Sequence, residues 1–218
     1  CWPMLLLGGS SELGKRGLGD FQEFPQVESA APYCRWSVTV DEPRRIPWFV
    51  SEAVKRATYG RPGPVYLDLP ADVLTASLDE AEVQPYPVAA RAPRPAADPA
   101  SVERAARAIS DAERPLLLIG KGAAWSDAAE EARALVEELG IPFVPSPMGK
   151  GVVPDNHPLC VAGARSFALK NADLVILAGA RFNWTFHFGR PPRFAEGVRV
   201  VQIDIEPTEI GLVQPVEV

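Results

Sequence analysis

Pro115-Leu116-Leu117-Leu118-Ile119-Gly120-Lys121-Gly122-Ala123-Ala124 carries an unbroken apolar run into a glycine turn and on into a helix-forming segment. An apolar run without polar alternation suits a strand covered on both faces, as in the interior of a parallel sheet. The order recurs along the chain. Residues 101–112 have helical spacing ahead of this strand. Residues 127–139 follow it as a second helix, with Asp127 placed as N-cap and Gly140 just past the end. Residues 142–145 read as a strand, 166–170 as a helix, and 174–178 and 198–205 as two more apolar strands. Strands alternating with helices make parallel βαβ units, so the fold class is α/β with doubly wound parallel sheets.

Upstream the alternation continues. Residues 4–8 read as a buried strand entering a glycine turn, 24–30 as a short helix and 36–40 as a short strand. Residues 47–58 follow Ile46 with apolar Phe49, Val50, Ala53, Val54 and Ala57, the spacing of an amphipathic helix. Gly60-Arg61-Pro62-Gly63 is a turn, and Val65-Tyr66-Leu67-Asp68-Leu69 a strand closed by Pro70. Proline, 23 of 218 residues, is present at roughly twice its usual share of about 5%. Five prolines fall between Pro85 and Pro99. Proline has no amide proton and a fixed φ, so this stretch suits an extended linker better than a helix or inner strand. The expected division is residues 1–84 as a partial N-terminal α/β domain, 85–99 as linker and 100–218 as a Rossmann-like central domain. The chain starts at Cys1 in what reads as mid-strand and stops at Val218 without a closing element, as a piece of a longer polypeptide would.

Composition narrows the function. With 47% hydrophobic and 23% charged residues the chain can bury a core. A formal net charge of −6 without a Lys/Arg block argues against a nucleic-acid partner. No apolar stretch approaches the ~18 residues of a membrane span. Cys1, Cys34 and Cys160 are odd in number and far apart, which suits a reducing, cytoplasmic compartment and neither a disulfide framework nor a zinc site.

Chemistry concentrates at strand ends. Gly120-Lys121-Gly122 would let backbone amides and a lysine approach an anion. It lacks the third glycine of the dinucleotide fingerprint, and a tight turn with a surface lysine fits equally well. Arg181 follows one strand and Asp204 ends another, where Asp204 could accept from ribose hydroxyls. Lys121, Arg181 and Asp204 together suit an adenosine phosphate, while each alone reads as a surface charge. Arg61 either projects toward a phosphate or serves the turn. His157 and His187 have no partner at metal-ligand spacing and read as local hydrogen-bonding groups. In Gly19-Asp20-Phe21-Gln22-Glu23-Phe24-Pro25-Gln26, Asp20 and Glu23 have the spacing of a capping box.

The strings Cys1-Trp2-Pro3, Phe21-Gln22-Glu23-Phe24-Pro25-Gln26, Tyr59-Gly60-Arg61-Pro62-Gly63, Gly120-Lys121-Gly122-Ala123-Ala124, Pro147-Met148-Gly149-Lys150-Gly151, Gly179-Ala180-Arg181-Phe182-Asn183-Trp184 and Gln202-Ile203-Asp204-Ile205 occur in an order that resembles the 2-hydroxyacyl-CoA lyases. These are thiamine-diphosphate-dependent enzymes close to oxalyl-CoA decarboxylase and the acetolactate synthases. The resemblance implies the second half of a pyrimidine-binding domain, then the linker, then most of a central domain. It places the cofactor-activating glutamate upstream of Cys1 and the magnesium-binding segment downstream of Val218, so this stretch alone should hold neither thiamine diphosphate nor Mg2+ firmly. It implies that Phe21 and Gln22 border cofactor and substrate. It also implies that Arg61, Lys121, Arg181 and Asp204 hold ADP or the adenosine end of CoA. Oxalyl-CoA decarboxylase has Tyr-Glu where this chain has Phe21-Gln22, which favours the lyase branch. The implied activity is cleavage of a 2-hydroxyacyl-CoA to formyl-CoA and an aldehyde by a homo-oligomer, a dimer or tetramer. Oxalyl-CoA decarboxylase, an acetolactate synthase-type enzyme and a non-catalytic adenine-nucleotide module are the other readings. A peroxisomal location is the other reading of the compartment.

Overall fold

The computed structural model describes residues 2–87 and 92–218 and divides into two compact units, 1–93 and 94–218. The opening residue Cys1 and residues 88–91 of the expected linker lie outside the described residues.

The first unit holds β1 (Met4–Ser10), α1 (Gln26–Ala30), β2 (Trp36–Thr39), α2 (Ile46–Thr58), β3 (Pro64–Pro70) and α3 (Ala71–Thr75). Its three strands are parallel in the order β1-β3-β2. Of the expected apolar stripe of α2, Phe49, Ala53 and Ala57 are buried against Val65 and Leu67 of β3, whereas Val50 is exposed. Trp36 of β2 stacks on Phe49, with ring centroids 6.2 Å apart. The opposite face of this sheet is polar, since Tyr66 and Asp68 pair in register with Ser37 and Thr39. β1 departs from the expectation of a buried strand. It is an edge strand, and Met4, Leu6 and Leu7 are exposed.

The second unit holds α4 (Pro99–Ser110), β4 (Pro115–Ile119), α5 (Lys121–Trp125), α6 (Ala129–Leu139), β5 (Phe143–Pro145), α7 (Arg165–Asn171), β6 (Leu174–Ala178) and β7 (Arg199–Ile203). The four strands are parallel in the order β5-β4-β6-β7. Alternate residues of β4 face two separate cores, Leu117 and Ile119 on one side and Leu116 and Leu118 on the other. That is why this strand reads as a continuous apolar run. Each such fully buried side chain contributes roughly 1.5–3 kcal/mol, so the central strands dominate the stability of the unit. The terminal segment runs beside β7, with Glu217 N–H donating to Val200 C=O (2.8 Å) and Gln202 N–H to Val218 C=O (2.9 Å). The last residues are therefore ordered against the sheet and do not trail away from it.

Two caps differ from the sequence reading. Asp127 does not cap α6. It sits at φ +53, ending the short helix α5, and α6 begins at Ala129 without a side-chain cap. Asp20 does not open a helix either, because α1 starts at Gln26 after Pro25. Asp98 does cap α4, its carboxylate accepting from the Ser101 N–H at 2.8 Å. Gly140 ends α6 at φ +64, as expected of a C-terminal glycine.

Candidate functional site

All strands of the second sheet run the same way, so their carboxyl ends share one edge. The chain leaves β4 toward β5 on one side and leaves β6 toward β7 on the other. The tips of β4 and β6 therefore flank the point where strand order reverses, where open α/β sheets bind ligands. Lys121 follows β4, Arg181 follows β6 and Asp204 follows β7. Three adjacent strand tips cover two inter-strand spacings, about 10 Å.

Glycine makes this edge compact. Gly122 N–H donates to Gly179 C=O at 2.9 Å, and Gly120 N–H to Ala178 C=O at 2.9 Å. A Cβ on Gly120 would stand 2.5 Å from Ala180 Cα, and one on Gly179 would stand 2.6 Å from Gly122 Cα. The glycines that resemble a phosphate-binding turn are thus spent on backbone-to-backbone packing between two loops. Their spacing does not by itself indicate an anion cradle.

The side chains differ in their settings. Partial burial lowers the Lys121 ammonium from its ordinary value. The Arg181 guanidinium donates to Glu209 Oε1 at 2.6 Å. Glu209 is buried, and its own backbone carbonyl accepts from Gln202 Nε2 at 3.0 Å. One donor of Arg181 is thereby fixed, on a half-exposed guanidinium that carries further N–H groups. Asp204 Oδ1 accepts from the Glu206 N–H at 2.9 Å and shapes the turn after β7. Two cations beside a carboxylate can pair with an anion while accepting from neighbouring hydroxyls. Glu209 escaped the sequence reading because nothing local marks it as buried. Gln202 carried a signal, being a polar residue inside an apolar strand.

The candidates of the first unit are divided between two edges. Gln22 lies beside the carboxyl tip of β1, its side-chain oxygen 3.8 Å from where a Cβ on Gly9 would be. Phe21 next to it is 82% exposed. Arg61 precedes β3 and so belongs to the amino edge of the same sheet. The loop holding Phe21 and Gln22 is organised by Glu23, whose carboxylate accepts from the backbone N–H groups of Gly17, Gly19 and Asp20. Those hydrogen bonds, Gly17 foremost, keep the Glu23 carboxyl below its ordinary range. Arg16 and Thr39 both donate to the buried carboxylate of Asp68, at 2.9 and 3.0 Å.

A cleft of about 380 Å³ opens at the amino edge of the second sheet, lined by Arg114, Lys170, Asp173 and Arg199 among others. Asp173 there accepts from the Glu113 and Arg114 N–H groups, and Arg114 donates to Asn171 C=O. Its polar groups serve the fold. His157 Nδ1 accepts from the Leu159 N–H at 3.1 Å, a local role. Among the described residues no group of three or more His, Cys, Asp and Glu side chains could hold a metal ion, and no helix is long and apolar enough to cross a membrane.

Residues 102–218, more than half of the chain, match the model of the thiamine pyrophosphate enzyme central domain. The chain belongs to the thiamine pyrophosphate enzymes. Membership implies thiamine diphosphate, the same compound, as cofactor. This thiamine pyrophosphate enzyme chain is 47% identical over 211 residues to 2-hydroxyacyl-CoA lyase 1 of Mus musculus, covering 97% of the chain and 36% of the relative. It is 42% identical over 221 residues to oxalyl-CoA decarboxylase of Escherichia coli K12, covering 100% and 39%. It thus spans less than two-fifths of the length of these curated relatives. In fold it is similar to a Mycobacterium smegmatis protein described as thiamin diphosphate-dependent, with a TM-score of 0.78 at 23% identity over 98% of this chain and 42% of that one.

Proposed function

We propose that this chain is part of a thiamine-diphosphate-dependent lyase that cleaves 2-hydroxyacyl-CoA to formyl-CoA and an aldehyde one carbon shorter. The observation that carries this reading is the 47% identity to a 2-hydroxyacyl-CoA lyase along 97% of the chain. When bound, thiamine diphosphate supplies an electron sink for carbon–carbon cleavage. The described residues offer no metal site, so the Mg2+ expected with the diphosphate is not assigned to them. Their own work is binding and orientation. Phe21 presents an exposed ring and Gln22 an amide toward the substrate. Lys121 and Arg181 pair with phosphate of the CoA nucleotide or of ADP, and Asp204 accepts from ribose; Arg61, at the amino edge of the first sheet, is proposed separately as a cation for a phosphate group. Glu209 keeps Arg181 aimed. A nucleotide handle supplies binding energy far from the reacting carbon, which can help organise the reacting end. The full-length protein is read as a homo-oligomer of the cytoplasm or peroxisome.

The test is a coupled assay of the full-length protein with thiamine diphosphate and Mg2+. Formyl-CoA and aldehyde should appear together from a 2-hydroxyacyl-CoA. Formyl-CoA with carbon dioxide from oxalyl-CoA would instead support a decarboxylase, the second reading favoured by the 42% identity to that enzyme. In the same assay, Lys121→Ala and Arg181→Ala should each raise KM for CoA substrates about tenfold, the loss of a charge-assisted contact worth about 1.4 kcal/mol. In the reverse direction, condensation of a short aldehyde with formyl-CoA to the 2-hydroxyacyl-CoA, KM for the aldehyde, which lacks the nucleotide, should change less than about twofold. Equal losses on both substrates would remove the nucleotide role.

A further inference from the structure

Gln22 holds a left-handed backbone conformation, φ +60, that L side chains rarely adopt and that costs on the order of 1–2 kcal/mol. Something must hold it there. The turn itself is closed by Glu23 N–H donating to Asp20 C=O at 3.0 Å, and a second tie, from the turn to the sheet, is the side chain of Gln26, the first residue of α1. Its Nε2 donates to Gly9 C=O at 3.0 Å and to Gln22 C=O at 3.4 Å, bridging the tip of β1 to the loop. Its Oε1 accepts from the Tyr66 hydroxyl. That contact fixes the amide, because the two carbonyls lie at one end and the phenol donor at the other. Tyr66 is itself placed by Gly8, where a Cβ would come within 2.9 Å of the Tyr66 ring. Burial, followed by the charge of Asp68, raises the Tyr66 phenol above its ordinary value, so it stays a donor at neutral pH.

We infer that Gln26, oriented by Tyr66, is a positioning residue that anchors the backbone of Gln22 to the tip of β1 and so sets the aim of the Phe21–Gln22 pair at the substrate. The inference rests on the site proposed above. It assigns no contact of Gln26 or Tyr66 with substrate or cofactor. Both act through the backbone of residue 22.

The test is a double-mutant cycle on kcat in the full-length holoenzyme, using Gln22→Ala, Gln26→Ala and the pair. Misplacement of a reacting group by about 1 Å can cost up to about a hundredfold, so Gln26→Ala should lower kcat about tenfold or more while KM for the acyl-CoA stays within about twofold. In the Gln22→Ala background the same change should lower kcat less than about twofold, because the residue it positions is gone. Tyr66→Phe should give a smaller drop of the same kind. If Gln26→Ala does not yield folded enzyme, Gln26→Glu completes the cycle, since it keeps the length and the acceptor but sets an oxygen against two carbonyls. Losses that multiply across the cycle, or a Gln26→Ala enzyme with unchanged kcat beside an impaired Gln22→Ala, overturn the inference alone. An unimpaired Gln22→Ala removes the role of Gln22, and the inference with it.

Discussion

Gly120→Ala in the full-length protein should abolish the folded second unit, with soluble yield lost or the unfolding midpoint collapsed. At a permissive site a glycine-to-alanine change stabilises by about 0.4–1 kcal/mol, because the unfolded chain has fewer conformations to lose. The backbone of Gly120, φ −106 and ψ −177, is open to alanine, so that gain is available here. It is outweighed. The new methyl would stand 2.5 Å from Ala180 Cα and closer still to the Gly179 carbonyl, and both are backbone atoms on a neighbouring strand tip. Relief requires separating β4 from β6, whose register from Pro115↔Leu174 to Ile119↔Ala178 anchors both cores. The expected cost exceeds about 4 kcal/mol, in the range reached only by gross steric or core defects. Gly163→Ala is the control. Nothing lies within 4 Å of its Cβ position and its φ is not left-handed, so it should be neutral or stabilising by up to about 1 kcal/mol. Denaturant unfolding of the two variants beside the parent decides the matter. A Gly120→Ala protein that unfolds at the parental midpoint would show that the two loops can part freely.

The same pair of loops shows what could be read from the chain and what could not. That Leu116 to Ile119 form an inner strand follows from four apolar residues with no polar alternation, and they do face two cores. That Lys121, Arg181 and Asp204 share an edge follows from parallel strands alone, because every strand then ends on the same side. The purpose of Gly120 and Gly122 was not legible. Their partner is Gly179, which depends on β6 lying beside β4, a neighbour relation that local spacing does not encode. Asp127 was misread because N-cap preference is set by residue type, whereas its φ of +53 is set by how α5 ends. Arg61 reads as one more cation near a turn. That it precedes β3 can be read from the chain; that it lies across the first sheet from Gln22 follows once β1 and β3 are known to pair in parallel. Buried polar partners were the largest gap. Glu209 and Asp68 look like ordinary polar residues until the packing encloses them.

Asp68→Asn should cost roughly 1.5–3 kcal/mol of stability, the range for a hydrogen bond to a charged group in a protein interior, and should lower kcat as well. Asp68 is 3% exposed on the central strand of the first sheet. Both donors it receives, from Arg16 and Thr39, converge on Oδ2, while Oδ1 is buried with no hydrogen-bond partner among the described residues. Asparagine can keep its oxygen toward Arg16 and Thr39, but it then places an N–H2 group where there is no acceptor, and the ion pair is gone. The side chain of Arg16 is 43% exposed, so solvent screens much of the Coulomb loss. The unsatisfied amide therefore sets the larger part of the penalty. The catalytic effect has another route. Arg16 is where the loop carrying Phe21 and Gln22 is tied to the sheet, so a weaker tie loosens the approach of that pair to the substrate. Thr39→Val separates the two effects. It removes a donor from the same carboxylate without touching the loop, so it should lower stability and leave kcat within about twofold. Unfolding midpoints and kcat measured on both variants of the full-length enzyme carry the comparison. If Asp68→Asn loses stability at full turnover, Arg16 is a fastening of the fold only. If Thr39→Val loses as much turnover as Asp68→Asn, the carboxylate acts through the strand and not through the loop.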